Sequence, residues 1–170
     1  FVFAREPGGV RLEVMAPSVL WITLALAGLV VLNRAFLLER EHAALEGILL
    51  APIPRSELFW GKWLANTALV AGVLLVAFPV WVLFFNVEPR PALLGVLGLA
   101  MLAAVGFTAA GTLFAAMTAR TRYAELLLPV LLLPFLIPPL FAGAQATVRL
   151  LGGRPFGELA GWLRILAAYD

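Results

Sequence analysis

The side chains able to do chemistry are few, and most of them sit in one short stretch. Glu39, Arg40, Glu41, His42 and Glu46 come close together, and Arg55, Glu57, Gly61 and Lys62 follow them. His42 and Glu46 stand at i, i+4, so a helix would put them on one face as two ligands for a metal. An exposed histidine that faces a partner or an interface is the plainer reading. With one histidine in the chain, no multi-histidine metal or haem cage can be built from it alone. The lack of cysteine removes disulfides, thiolate metal sites and cysteine nucleophiles. Gly61-Lys62 runs into Trp63 and has no glycine upstream at the spacing of a phosphate-binding loop, so the chain does not cradle ATP itself. No HExxH, no pair of aspartates in an apolar run and no Ser/His arrangement supports proteolysis. No catalytic, cofactor-binding or metal-binding residues are expected.

What must position the charged stretch is lipid-embedded helix. The chain is 63% hydrophobic and 13% charged, with a mean hydropathy of +1.01. A soluble domain has about 45–50% apolar and about 25% charged residues. The composition therefore specifies an all-α integral membrane protein. A net charge of +2 with scattered basic residues does not suggest nucleic-acid binding.

A span needs about 20 mostly apolar residues, and four stretches qualify: about 17–33, 63–85, 92–117 and 125–146. Residues 34–62 then form the charged connection, and residues 1–170 read as a single transmembrane domain. The opening Phe1-Val2-Phe3-Ala4 and the apolar close from Gly161 to Asp170 are expected to mark a fragment lacking one hydrophobic segment at each end. Orientation cannot be read from charge. Arg34, Arg40, Arg55, Lys62, Arg120 and Arg122 on one side balance Arg5, Arg11, Arg90, Arg149, Arg154 and Arg164 on the other. Trp21, Trp60, Trp63, Trp81 and Tyr123 fall toward span ends, where amphipathic rings favour the interface.

Two spans carry patterns of their own. The third has Ala100, Ala104, Thr108, Thr112 and Ala116 at spacing four, a small-residue face that lets another helix approach closely, either within the bundle or in a dimer. The fourth contains Pro129, Pro134, Pro138 and Pro139, which predict a kinked or interrupted helix, bent around its neighbours or lining a transport path. Beyond it, Phe156, Leu159, Trp162, Leu163 and Leu166 would share one side of a short interfacial helix. Spans one to three hold no ionisable residue, and Glu125 lies at the edge of span four. Proton- or sodium-driven transport usually needs such groups inside the membrane, so energy is expected from another subunit.

The charged connection reads as a helical handle. Leu38, His42, Leu45 and Leu49 form one apolar stripe, Glu39, Arg40 and Glu46 face elsewhere, and Pro52 and Pro54 force an end. Ser56 is expected to cap the following helix, with Glu57 in its first turn.

This pattern resembles the ABC-2-type transporter permeases, and within them the haem exporter B (CcmB) family of cytochrome c maturation. The resemblance rests on Leu38-Glu39-Arg40 directly after a span, the Leu50-Ala51-Pro52-Ile53-Pro54 turn, and Gly61-Lys62 before the next span. It rests also on Arg120-Thr121-Arg122 leading into the Leu/Pro-rich run from Leu126 to Leu140. Together these cover about residues 17–145. The resemblance implies a permease bundle of six spans in full, about four of them here, in a bacterial cytoplasmic (inner) membrane with residues 34–62 in the cytoplasm. It implies that Leu38, Glu39, Arg40, Glu41, His42, Leu45, Glu46 and Leu49 form a coupling helix against the ATPase subunit CcmA. It further implies CcmC, CcmD and the haem chaperone CcmE as partners and a second copy of the chain. ATP is expected in the ATPase subunit, with haem as possible cargo and no cofactor bound directly. An ABC-2 permease for a drug, lipid or polysaccharide and a non-transporting membrane scaffold are the alternative readings.

Overall fold

Five helices follow one another in the computed structural model, which describes residues 12–41, 54–88, 90–118, 121, 124–153 and 160–168. They are α1 (Leu12–Glu41), α2 (Arg55–Phe84), α3 (Ala92–Thr118), α4 (Ala124–Leu151) and α5 (Ala160–Ala167). Hydrocarbon offers no hydrogen-bond partner for backbone amides, so long apolar runs satisfy themselves as helix. Stretches of α1, α2, α3 and α4 are long and apolar enough to cross a membrane: Met15–Arg34, Ser56–Phe84, Ala92–Thr118 and Leu126–Leu151. Among the described residues the fold is the all-helical one expected from the sequence, with four helices of spanning length.

Two helix boundaries and the course of one helix differ from the sequence expectation. The first helix does not stop where the apolar run stops but continues to Glu41. The second begins at Arg55 on Pro54, whose carbonyl accepts from the Glu57 amide at 3.0 Å. Ser56 therefore lies inside the first turn and is not its cap, while Glu57 does sit in that turn. Proline takes the cap position because its fixed φ suits a chain entering a helix and no amide of its own is wanted there. The fourth runs unbroken through Pro129, Pro134, Pro138 and Pro139, so the span is not interrupted. Each proline removes one donor, but its ring holds φ near the helical value, and the chain continues.

Short turns set the antiparallel order. The C-terminus of α2 closes with Asn86 at φ 48, its amide on the Leu83 carbonyl and the Val87 amide on the Val82 carbonyl. This is a Schellman ending, with asparagine in the left-handed position. Packing within the bundle is close where glycine permits it. A Cβ on Gly28 would overlap the Phe107 ring, and one on Gly143 would overlap the Trp21 ring. Thus α1 lies against α3 at the first and against α4 at the second.

The core has two parts. One draws on all five helices through Leu20, Trp21, Val70, Trp81, Leu99, Ala146 and Leu166, among others. The other, nearer the charged connection, joins Ala25, Leu32, Phe107, Ala115, Leu128, Leu132 and Leu136 from α1, α3 and α4. Helix α5 packs against the bundle. Leu166 is buried, and half-buried Trp162 packs edge-on against Phe141 with Arg149 5.3 Å over its ring. Phe156 and Leu159 lie outside the described residues.

Candidate functional site

The handle is, in its first part, the end of a span. Leu38, Glu39, Arg40 and Glu41 belong to α1, whose stretch apolar enough to cross a membrane ends at Arg34. The remaining turns, from Ala35 to Glu41, project about 10 Å at 1.5 Å per residue. His42, Leu45, Glu46 and Leu49 lie outside the described residues, and so does any arrangement of His42 with Glu46. Among the described residues, no group of three or more His, Cys, Asp or Glu side chains is placed to hold a metal.

Directly inward of the handle, α2 and α3 meet along a polar seam. Asn66 Nδ2 donates to Thr112 Oγ1 at 3.0 Å, and the Thr67 and Thr108 hydroxyls meet at 2.7 Å. Trp63 Nε1 donates to the Val105 carbonyl at 3.2 Å. Asn66, Thr108 and Thr112 are buried. A carboxamide held away from water needs a partner, and the hydroxyl of Thr112 supplies it. These α2 residues were legible as rare polar types in an apolar run, Trp63 and Thr67 at i, i+4, yet one sequence does not say which helix receives them.

The small-residue face of α3 explains the approach. Ala100, Ala104, Thr108 and Thr112 are all buried, but Ala116 is exposed and the buried line continues through Ala115 and Thr118. A step of four residues overshoots one turn by about 40°, so four steps carry the stripe about 160° around the helix. The face is occupied within the bundle, where Thr108 and Thr112 meet α2.

Tryptophans divide by face rather than depth. Trp60 is exposed, as an interfacial ring should be, whereas Trp21 and Trp81 are buried in the core. Their indole N–H groups find protein acceptors: Trp21 donates to Thr147 Oγ1 at 3.0 Å and Trp81 to the Ala16 carbonyl at 2.7 Å. Placing a ring near a span end leaves open whether it turns toward lipid or inward. In α4, Pro139 is buried and Pro129 half-buried, while Pro134 and Pro138 are exposed. The four prolines therefore do not line one common interior surface.

At the opposite end of the bundle, a pocket of 310 Å³ is lined by Ala16, Phe85, Asn86, Val87, Glu88, Arg90 and Leu151. Its charged members pair with each other at 2.5 Å on the exposed rim.

Four helices long and apolar enough to cross a membrane, in a fully helical arrangement of the described residues, define a multi-pass membrane protein. The sequence matches the family model described as CcmB protein over residues 1–170. This chain belongs to the CcmB protein family. It is 33% identical over 147 residues to heme exporter protein B of Rhodobacter capsulatus, covering 86% of this chain and 67% of that relative. To the heme exporter protein B of Paracoccus denitrificans it is 34% identical over 155 residues, covering 86% and 67%. The corresponding protein of Bradyrhizobium diazoefficiens is 31% identical over 152 residues, covering 89% and 68%. No solved structure matches the chain significantly.

Proposed function

We propose that this chain is the membrane permease subunit of an ATP-driven exporter serving cytochrome c maturation, with the handle as the place where force enters. The observation that carries the reading is the continuity of α1 from Met15, where the stretch apolar enough to cross a membrane begins, to Glu41, beyond its end at Arg34. A rod without a joint passes a push at Glu39–Glu41 directly to the first span. The relatives' name, heme exporter protein B, supports haem as cargo, handed toward the chaperone CcmE.

In this reading residues 34–62 are cytoplasmic and the membrane is the bacterial inner membrane. CcmA docks on the coupling segment from Leu38 to Leu49 and hydrolyses ATP, and CcmC, CcmD and a second copy of the chain complete the assembly. The chain itself is not an enzyme. Glu39, Glu41 and Glu46 supply negative charge for basic residues of the ATPase. His42 lies in the handle and is no haem ligand.

The test is purification of the full-length protein from its own membranes, with identification of co-purifying subunits and assay of ATP-dependent haem transfer. The reading requires a nucleotide-binding subunit. An ATPase-free assembly would instead indicate a scaffold, and an ATPase with no haem-handling partner would indicate another cargo.

A further inference from the structure

We infer that the handle-side half of α2 is a latched lever, anchored by apolar packing in its far half and held to α3 by hydrogen bonds that open and remake. The buried face of α2 runs along Asn66, Val70, Leu74 and Trp81, one line of a helix. None of the described side chains between Ser56 and Ala65 is buried. Only 17% of the apolar stretch of α2 is buried, against 33% to 44% in the other spans.

The two halves of that face differ in kind. Val70, Leu74 and Trp81 sit in the core shared by all five helices, and the Trp81 indole ties α2 to α1. The handle-side core contains no residue of α2 among those described. There, the described contacts of α2 with α3 include the polar seam of Trp63, Asn66 and Thr67. Interhelical hydrogen bonds in lipid are individually weak, so such a seam opens and closes readily.

The hydroxyls are arranged so that opening orphans neither. Thr67 Oγ1 lies 2.7 Å from the Trp63 carbonyl on its own helix, and Thr108 Oγ1 lies 2.8 Å from the Ala104 carbonyl on its own. Each hydroxyl carries one hydrogen and has both an internal and a cross-helix acceptor. When the helices part, each donates to its own backbone. Asn66 has no described acceptor of that sort, so its bond to Thr112 supplies the closing bias. Because α2 begins at Arg55, directly after the handle, a pull on the handle acts on the near end of the lever. The drive rests on the proposed coupling role; the latch does not.

The latch is tested by spin-label distances in the full-length protein in nanodiscs, with cysteines introduced in pairs, since this chain has none. The handle-end pair is Trp60→Cys with Met117→Cys, and the far-end pair is Leu83→Cys with Leu94→Cys, all at exposed positions. Trp60 lies about 15 Å along the helix from Val70, so a swing of about 20° displaces it by about 5 Å. Asn66→Leu is expected to lengthen the handle-end distance by that order and leave the far-end distance unchanged. Thr112→Ala removes the same bond from the other side and should reproduce the shift. Unchanged distances in both variants, or equal lengthening at both ends, would overturn the lever. In the complex with its ATPase, ATP should lengthen the handle-end distance, and an Asn66→Cys/Thr112→Cys disulfide should abolish that change. If no ATPase co-purifies, the coupling role fails, while the first comparison still decides the latch.

Discussion

Replacing Gly143 by alanine adds one methyl group, and the fold gives that methyl no room. Its position is already filled by the Trp21 ring, where α4 crosses α1. Two effects oppose each other. Alanine favours helix over glycine by up to about 1 kcal/mol, whereas forcing an extra carbon into a packed core costs about 1–3 kcal/mol. Gly72 separates them, because a Cβ there meets nothing within 4 Å. Gly72→Ala therefore reports propensity alone. Relative to it, Gly143→Ala should be destabilised by about 1–3 kcal/mol, the overpacking term. The ring is buried and also donates to Thr147 at 3.0 Å, so it cannot turn aside without losing that bond. The assay is unfolding of purified protein in mixed micelles by increasing denaturing detergent, for Gly72→Ala, Gly143→Ala and Trp21→Phe singly and for Gly143→Ala combined with Trp21→Phe. The smaller ring should recover part of the loss, giving a favourable coupling of about 0.5–3 kcal/mol between sites in contact. If Gly143→Ala is as harmless as Gly72→Ala, or if Trp21→Phe gives no rescue, the close crossing of α1 and α4 is refuted.

Charge reversal at Glu39 and Glu41 together should uncouple ATP hydrolysis from haem transfer while the protein still inserts into the membrane; unchanged coupling and ATPase co-purification would remove the handle from the mechanism. His42→Ala should leave bound haem undiminished in the purified complex, measured by absorbance, and loss of haem would contradict its place in the handle. Trp81→Phe should destabilise the bundle by at least the roughly 0.6 kcal/mol typical of an interhelical hydrogen bond in lipid, because its N–H serves the Ala16 carbonyl. The same change at exposed Trp60 should be close to neutral in the detergent-unfolding assay.

Much of the scaffold was legible because lipid imposes one severe demand on every span. Apolar length alone pointed to four helices long enough to cross, and the connections followed from what remained. The helix ends were less legible. Hydropathy falls at Arg34, but helix does not, since charged Arg40 and Glu41 form helix as readily as leucine does once a turn has been nucleated. Along the small-residue stripe the side chains are buried as far as Thr112 and exposed at Ala116, where the mismatch between four residues and one turn has accumulated. That Trp21 and Trp81 turn inward was not legible, because depth along a span says nothing about rotation about its axis.

The sequence by itself determined that this chain lives in a membrane, that spans one to three hold no ionisable residue, and that a charged segment separates the first two spans. Those conclusions depend on residue type and on distance along the chain, which one strand of text contains. Which faces meet was decided only by the tertiary structure. Asn66 finding Thr112, Gly143 admitting Trp21, and α2 sharing one core while absent among the described members of the other all depend on rotation and register between helices. In lipid, apolar faces are alike to the solvent, so helix pairing is settled by close packing and a few polar contacts that exist only once the bundle has formed.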